Sequence, residues 1–548
     1  MATATFGMLA VLPSFAQSDL GVKCGCPPVA SRDSIILSGD LSPASLNLTC
    51  AHNYILDGRV FVTAGNTLQI EPGTVIKGRP GTSPATESAL IVSRDARINA
   101  AGTADCPIVF TSNSDKLDGT YPINNSGKWG GLVILGRASN NLTGVSGPAG
   151  PGKLALQEGL GVIEGFNVFT QPAALKYAFG ADITHGESFN DNDNSGILTY
   201  VSIRHSGAVL EVGNEINGLT LGSVGRGTTI HHIEVLSCAD DSYEFFGGTV
   251  NIKYAASIFS EDDMFDWDLG YSGKLQFLFG LKNTATTATP GSDNGFEADT
   301  DDNNNRLGTA PNFSTGAARP ASKPIIYNAT LIGSIKDPGS PAPDNSGIAA
   351  INLKEDSRGE IYHSVFTNWA RGVELANEAA PNQPDSYQEY NAGAGALKIQ
   401  CNTFASYSKD ITSNLALEGS TATRTALTGN NKFLSGAIGA SAGALIPGLT
   451  TPFANGSPVV DATPDAGSAV ETTTAGCVPP TDGFFTPANY RGAFNPAGPN
   501  WLKTWSYTSF KGLNGASKSC ATDVNQDGTT GIPDLNQVLL ELNKPCSK

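Results

Sequence analysis

Short runs of apolar and β-branched residues recur along the first quarter of the chain, and each run ends at a turn-forming residue. Examples occupy residues 54–63, 67–78, 89–92 and 107–112, with glycine, proline, asparagine or aspartate between them. Segments of this length and composition are typical of β-strands separated by tight turns. No stretch of helical periodicity competes with them. The pattern therefore predicts an all-β fold.

A repeat in the middle of the chain indicates how these strands are arranged. Residues 238–248 and 260–270 share a pattern of acidic and aromatic positions, and matched residues lie 22 positions apart. The matched pairs are Asp240 and Asp262, Asp241 and Asp263, Glu244 and Asp266, and Phe245 and Trp267. A fixed period of this size indicates one structural unit stacked on copies of itself. We therefore expect a parallel β-helix, a solenoid whose coils of about 22 residues each contain three short strands.

Changes in the pattern divide the chain into four parts. The predicted parts are a signal-peptide remnant at 1–16, a parallel β-helix with loop insertions at 17–420, an irregular and aromatic capping region at 421–515, and a small calcium-binding module at 516–548. Aromatic residues are concentrated at 484–510. We expect them to cap the apolar end of the solenoid, because open solenoids require caps. A platform for stacking sugars is the alternative.

Composition indicates where the protein is located and which classes of partner it can bind. The apolar start of the chain, with small residues at Ser14 and Ala16, is typical of a secretory signal, and no later run is long enough to span a bilayer. We therefore expect an exported protein, extracellular or at the cell surface. Lys and Arg number 34 against 51 Asp and Glu, so the formal net charge is −17 and a nucleic-acid partner is excluded. Divalent cations, polysaccharides, other cell-surface components and self-assembly remain candidates, although acidity can also serve solubility alone.

The cysteines support the same location. Nine cysteines in one chain fit an oxidising compartment. Cys520 and Cys546 bracket the C-terminal module, and we expect them to form a disulfide. Cys238 lies inside the repeat where the next coil has Ser260, which predicts a buried free thiol. The sequence leaves the other pairings open.

The strongest local motif is a calcium-binding loop at residues 523–534. Calcium prefers six to eight oxygen ligands, and loops of this kind supply them at fixed positions. The ligands that the motif predicts are Asp523, Asn525, Asp527, the backbone carbonyl of Thr529, and Asp534. A helix-like apolar segment follows, as such a loop requires. The motif resembles one half of a type I dockerin, but its second half is absent, which leaves cohesin binding in doubt.

The acidic repeat is a second candidate cation site. Residues one coil apart in a β-helix lie about 4.8 Å from each other. Stacked carboxylates at that distance repel, which raises a pKa or recruits a cation. The residues concerned are Asp240, Asp241, Glu244, Asp262, Asp263 and Asp266, and Glu297 and Glu374 are candidates to extend the last column. In the alternative interpretation, the aspartates cap backbone amides of the turns.

Several longer phrases resemble a group of secreted bacterial right-handed parallel β-helix proteins whose role is poorly defined. The phrases include G-N-T-L-Q-I-E-P-G-T-V-I-K-G, K-W-G-G-L-V-I-L-G-R-A, A-D-D-S-Y-E-F-F-G-G-T-V and N-Y-R-G-A-F. The resemblance covers about residues 50–375 and 481–510. It implies the fold and an exported or surface location more than it implies an activity.

Three functions fit these observations. The first is a calcium-stabilised extracellular or cell-surface protein with a structural, adhesive or matrix role, favoured because no catalytic motif is present. The second is a calcium-dependent polysaccharide lyase, in which Asp262, Asp263, Asp266 and Asp268 hold calcium and Lys253, Arg204 or Lys282 acts as base. The third is a non-catalytic carbohydrate-binding protein.

Overall fold

The computed structural model of the chain describes most of the solenoid and one of its flanks. The described residues are 20–82, 86–142, 158–163, 176–211, 214–282, 294–300, 313, 315–333, 349–369, 371–376, 385–391, 396–405, 429–434, 462–464 and 477–510. The signal remnant at 1–16, the calcium loop at 523–534, Cys520 and Cys546 lie outside these ranges.

The described chain is built almost entirely from short strands. Strands β1 to β9 are Ser34–Asp40, Asn47–Leu48, Asn53–Val62, Thr67–Ile70, Val75–Gly78, Ala89–Val92, Arg97–Ala101, Ile108–Ser112 and Leu132–Leu135. Strands β10 to β19 are Leu160–Val162, Ala178–Gly180, Gly196–Arg204, Val209–Glu211, Asn214–Glu215, Leu219–Gly222, Thr229–Leu236, Tyr243–Phe246, Asn251–Ile258 and Phe265–Asp268. Strands β20 to β29 are Lys274–Leu281, Phe296–Ala298, Ile325–Ile332, Ala349–Leu353, Gly359–Tyr362, Val365–Thr367, Arg371–Leu375, Leu397–Gln400, Thr403–Ala405 and Lys432–Leu434.

Helices are few and short in the same residues. The α-helices are α1, Ser386–Asn391, and α2, Tyr507–Phe510. Single 3₁₀ turns are formed by Val22–Cys24, Val29–Ser31, Pro43–Ser45 and Ile183–His185. No helix of the described residues is long and apolar enough to cross a membrane.

Successive coils pair in parallel and form three sheets along the solenoid. Sheet A runs through β1, β3, β5, β8, β12, β16, β18, β20, β22, β25, β28 and β29. Sheet B runs through β1, β3, β6, β9, β15, β17, β19, β21, β23 and β26. Sheet C runs through β2, β4, β7, β12, β16, β18, β20, β22, β24 and β27. The predicted all-β parallel β-helix is therefore confirmed.

Inward side chains of the three sheets stack in columns and form one core. In sheet B, Tyr243 pairs with Phe265 and Phe265 with Phe296, and all three side chains are buried. The rings of Tyr243 and Phe265 stack at 4.9 Å. Each fully buried side chain of this size contributes roughly 1.5–3 kcal/mol through the hydrophobic effect. Alternation along each strand sends the intervening polar residues outward.

Long strands bend from sheet C into sheet A at residues with a left-handed backbone. Tyr200, His232, Tyr254 and Phe277 have φ values of 51°, 54°, 56° and 59°. Their rings stack in order, with centroids 4.4, 4.4 and 4.9 Å apart. Such backbone strain is tolerated when surrounding structure fixes it, and the continuous ring stack supplies that constraint on the outside of the coils.

The aromatic C-terminal segment lies along the flank of the solenoid, and not over an end as we expected. Residues 477–510, here called the C-terminal strap, cover the outer face of sheet A, whose side chains in these coils are apolar. Trp505 contacts Tyr200 at 5.8 Å, and Phe494 contacts Phe279 at 5.1 Å. Trp505 is only 1% exposed, so this ring is not available for stacking on sugars from solvent. The segment packs sideways because the flank, and not only the end, offers apolar surface.

Disulfides fix both ends of the described chain. The pairs are Cys24 with Cys106, Cys26 with Cys50, and Cys401 with Cys477, the last of which ties the start of the strap to sheet C. Cys238 is free and buried, as predicted. The expected pair of Cys520 with Cys546 stays a prediction.

Candidate cation site

Outward-facing carboxylates form a column across three coils of sheet B. Glu244 in β17 pairs with Asp266 in β19, and Asp266 pairs with Glu297 in β21. Because side chains alternate along a strand, these three point away from the core that contains their neighbours. The predicted stacking of Glu244 on Asp266 is confirmed, and Glu297 extends it. Glu374 occupies the same register beyond Asn352. This outer acidic column is the first half of the candidate site.

Asp241 and Asp263 belong to a different column, at the turn that leads into sheet B. The backbone N–H of Asp241 donates to Oδ1 of Asn217 at 3.2 Å, and that of Asp263 donates to Oδ1 of Asp241 at 2.7 Å. The backbone N–H of Asn294 in turn donates to Oδ1 of Asp263. Asparagine therefore does at one coil what aspartate does at the next. Turn capping, the alternative interpretation of these two aspartates, accounts for one oxygen of each.

The two columns meet, and together they bring carboxylate oxygens close enough to share a cation. Three groups have oxygens within 4.8 Å of one another: Asp240 with Asp241 and Asp262, Asp241 with Glu244 and Asp266, and Asp266 with Glu297 and Asp299. Asp266 belongs to two of these groups. Its Oδ1 is buried and accepts no hydrogen bond, and the same holds for Oδ1 of Asp299. These oxygens have lost water without gaining a donor.

Burial and mutual repulsion raise the pKa values of this cluster. Burial, followed by the charges of Glu297 and Asp299, raises the pKa of Asp266 well above its ordinary value. Burial and the neighbouring carboxylates, Asp263 for Asp241 and Glu297 for Asp263, likewise raise the pKa of both residues. For Asp299, burial raises the pKa to about 7 even though Lys354 opposes the shift. Near neutral pH the cluster therefore has to hold protons or a cation.

Two lysines offset part of this negative charge. Nζ of Lys354 lies 2.9 Å from Oε1 of Glu297 and 3.4 Å from Oδ2 of Asp299. Nζ of Lys282 donates to the backbone carbonyl of Asp262 and lies 3.2 Å from Oγ of Ser260. Lys354 therefore lies at the far end of the outer column, and Asp266 connects that end to the group of Asp241, Glu244 and Asp266. That group has the donor set that a hard divalent cation prefers.

Two of the three candidate bases lie away from the acidic columns. Arg204 is 1% exposed and lies 4.7 Å from the Tyr507 ring of the strap. Nζ of Lys253 donates to Oγ1 of Thr486, also in the strap. Both residues are therefore on the flank of sheets A and C, and their assignment as bases is wrong. Lys282 is the one candidate that the fold places beside the acidic cluster.

Sequence reasoning missed several residues that complete the cluster. Asn217 and Asn294 carry the capping column through its neutral coils, and Lys354 and Asp299 close its far end. Aligning the coils on their inward apolar residues would have found the asparagines, because they precede Leu219 and Phe296 by the same two positions as Asp241 precedes Tyr243. No comparable signal marks Lys354. The predicted calcium loop lies outside the described residues, so the structure adds nothing to it.

Comparison with known proteins identifies a family. A family model described as a pectate-lyase like beta helix domain matches residues 39–156 and 172–447. No curated protein and no solved structure matches the chain.

Proposed function

The chain belongs to the family of pectate-lyase-like β-helix domains, and from this premise we propose that it is an exported, calcium-stabilised β-helix protein with a structural or adhesive role outside the cell. The observation that carries the proposal is the group of Asp241, Glu244 and Asp266, whose carboxylate oxygens lie within 4.8 Å of one another on the outer face of sheet B. Two lysines lie near this group, and both are engaged: Lys282 contacts Ser260 and the carbonyl of Asp262, and Lys354 pairs with Glu297 and Asp299.

Calcium would act here as a bridge between coils. Asp241 and Glu244 come from one coil and Asp266 from the next, so a cation bound by all three holds two coils together. Binding to the folded chain alone stabilises it by an amount that grows with ligand concentration. The cation would also remove the repulsion that raises the pKa values of these groups. The sequence motif at 523–534 supplies a second, independent calcium site in this proposal.

Three disulfides in the described residues support the extracellular location. Disulfides persist in oxidising environments and are rare in reducing ones. The family model is described as pectate-lyase like, and a long solenoid exposes extended sheet faces, so we propose polysaccharides as the surface or matrix partner.

Calcium titration by isothermal calorimetry tests the proposal. The full chain carrying Asp523→Ala and Asp527→Ala removes the loop site, and the proposal expects calcium binding to remain in that background. Adding Glu244→Gln should then abolish the residual heat, whereas adding Asp57→Asn, a solvent-exposed carboxylate paired with Arg79, should leave it unchanged. Residual binding that survives Glu244→Gln contradicts a site at this column.

A polysaccharide lyase is the second candidate, because Lys282 lies beside the acidic cluster and the family is pectate-lyase-like. In this function calcium acidifies the proton next to a uronate carboxylate and an amine removes it. Anionic polysaccharides incubated with the protein and calcium would yield unsaturated uronates that absorb in the ultraviolet. Product that appears with the unaltered chain and is lost in Lys282→Met would establish the lyase and displace the structural role.

A further inference from the structure

Asn217 lies one coil before Asp241 in the capping column, which consists of Asn217, Asp241, Asp263 and Asn294. It contacts both halves of the candidate site. The backbone N–H of Asp241 donates to Oδ1 of Asn217 at 3.2 Å, and Nδ2 of Asn217 donates to Oε2 of Glu244. A backbone N–H needs an acceptor, so the amide oxygen faces Asp241 and the amide nitrogen faces Glu244. Asn217 therefore fixes the orientation of one carboxylate of the site.

The coil of Asn217 repeats the positions of the candidate site with neutral residues. In the site, Asp241 is followed three positions later by the outward-facing Glu244, which pairs with Asp266 in the next coil. One coil earlier, Asn217 is followed three positions later by Thr220, which pairs with Glu244. Thr220 is fully buried, and its hydroxyl has no hydrogen-bond partner among the residues that the structure describes. Buried polar atoms are normally hydrogen-bonded, so this hydroxyl is available as a ligand oxygen.

Amide donors also stand at the other end of the outer acidic column. Oε1 of Glu297 accepts from Nδ2 of Asn294 at 3.4 Å and from Nδ2 of Asn352 at 3.2 Å, and Nζ of Lys354 lies 2.9 Å from the same atom. Each donor occupies a lone pair that a cation would otherwise use. Asparagines of the capping column therefore face the outer carboxylates at both ends, and aspartates occupy the two coils between them.

We propose that asparagine in the capping column closes a coil to calcium, and that Asn217 is the positioning residue that ends the cation site at Glu244. The single oxygen of Asn217 already accepts the backbone N–H of Asp241, and its nitrogen holds Glu244. An aspartate accepts the same N–H and keeps a second oxygen for a cation. The residue type at position 217 therefore sets how far calcium binding extends along the column. This inference rests on the proposed function, because it takes the group of Asp241, Glu244 and Asp266 as a calcium site.

Asn217→Asp tests the inference in the full chain that also carries Asp523→Ala and Asp527→Ala. The substitution keeps the oxygen that accepts the N–H of Asp241 and replaces the amide donor by a second carboxylate oxygen. Calorimetric titration with calcium should give one more bound ion per chain than the parent with Asn217, because the carboxylate, the hydroxyl of Thr220 and Glu244 then form a further site. An unchanged number of bound ions would overturn the inference.

Asn402→Asp is the matched control for a buried asparagine that caps a backbone amide. Asn402 is fully buried, and its Oδ1 accepts the backbone N–H of Ser364 at 2.9 Å. Its Nδ2 donates to the carbonyl of Ile361 and to Oδ1 of Asn431, and not to a carboxylate. This variant should bind the same number of calcium ions as the parent. A gain equal to that of Asn217→Asp would show that any buried carboxylate suffices, and the inference would be wrong.

Thr220→Val locates the added ion. In the Asn217→Asp chain it should remove the additional calcium, because the ion loses an oxygen ligand. In the parent chain it should leave calcium binding as it was. An additional ion that persists in the double variant would lie elsewhere, which contradicts the inference.

The calcium dependence of unfolding gives the same count if Asn217→Asp folds only in calcium. The slope of the logarithm of the unfolding constant against the logarithm of free calcium counts the ions released on unfolding, and it should be larger by one than for the parent. A variant that calcium does not restore to the folded state would also overturn the inference. If the parent itself binds no calcium, the proposed function fails, whereas the inference is judged only by the difference between the two chains.

Discussion

Replacing Asp266 by asparagine removes one charge from the centre of the acidic cluster while keeping the size of the side chain. Asp266 shares oxygen contacts within 4.8 Å with Asp241 and Glu244 on one side and with Glu297 and Asp299 on the other. At that separation and an effective dielectric constant of about 20, two unit charges repel by about 3 kcal/mol. Protonation of the cluster and the attraction of Lys354 offset part of this. We expect Asp266→Asn to raise the free energy of unfolding of the calcium-free protein by about 1–3 kcal/mol at mildly alkaline pH.

Calcium should make the unaltered protein more stable than the Asp266→Asn variant, which is the reverse of the order expected without calcium. The unaltered chain gains stability by binding, about 2.7 kcal/mol when free calcium is a hundred times the dissociation constant. The variant lacks the shared ligand and should gain little from this site. Urea unfolding followed by tryptophan fluorescence, with a chelator and then with excess calcium, measures both differences.

Asp57→Asn is the matched control, since that carboxylate is 50% exposed and pairs with Arg79 at 3.2 Å. Its effect should be within about 1 kcal/mol in either condition, as for other surface pairs. If Asp266→Asn destabilises the calcium-free chain, Asp266 is held by favourable contacts and the repulsion argument is refuted.

Three further predictions concern groups elsewhere in the described chain. The folded-state pKa of Asp299 is raised to about 7, so its contribution to stability is complete below the unfolded pKa of about 3.9 and is lost as pH rises through 7. The urea midpoint of the calcium-free protein should therefore fall between these two pH values. A midpoint that rises over the same range would contradict the burial argument. Trp505→Ala should lower the free energy of unfolding by about 3–5 kcal/mol because the ring is buried, while Val478→Ala, at an exposed strap position, should change it by less than about 0.5 kcal/mol. Burial raises the pKa of the Cys238 thiol to about 12, so a thiol reagent should label it only after unfolding, and rapid labelling of the native protein would show that the thiol is accessible.

The stacking of the coils could be predicted because one period governs several kinds of residue. Phe245 and Trp267 face the core, Glu244 and Asp266 face outward, and all follow the same spacing of 22 residues. A pattern that fixes inward and outward positions together also fixes the register between strands. The sequence therefore predicted which carboxylates stack on which, before any distance was known.

The different hydrogen-bonding roles of those carboxylates could not be predicted in the same way. Asp241 and Asp263 each accept a hydrogen bond from a backbone N–H of the next coil, whereas Glu244 accepts from the side-chain amide of Asn217 and stacks with Asp266 in the outer column. The difference depends on the side of the turn on which a side chain lies. The residue type, Asp or Glu, does not predict that position. Asn217 and Asn294 make the capping column harder to recognise in the sequence, because they accept the same backbone hydrogen bonds with a different residue type.

The packing position of the C-terminal strap could not be predicted from the sequence either. Trp505 contacts Tyr200, and Phe494 contacts Phe279, across more than 200 positions of the chain. Aromatic content at 484–510 indicates burial but does not say against which surface. The flank of sheet A is apolar in these coils, and only the three-dimensional arrangement shows that the segment packs there.

Anomalous scattering from calcium in crystals of the full chain would locate the proposed cation between the coils. We expect a calcium peak about 2.3–2.6 Å from oxygens of Asp241, Glu244 and Asp266. Crystals grown in excess calcium that show no calcium within coordination distance of Asp266 would contradict it.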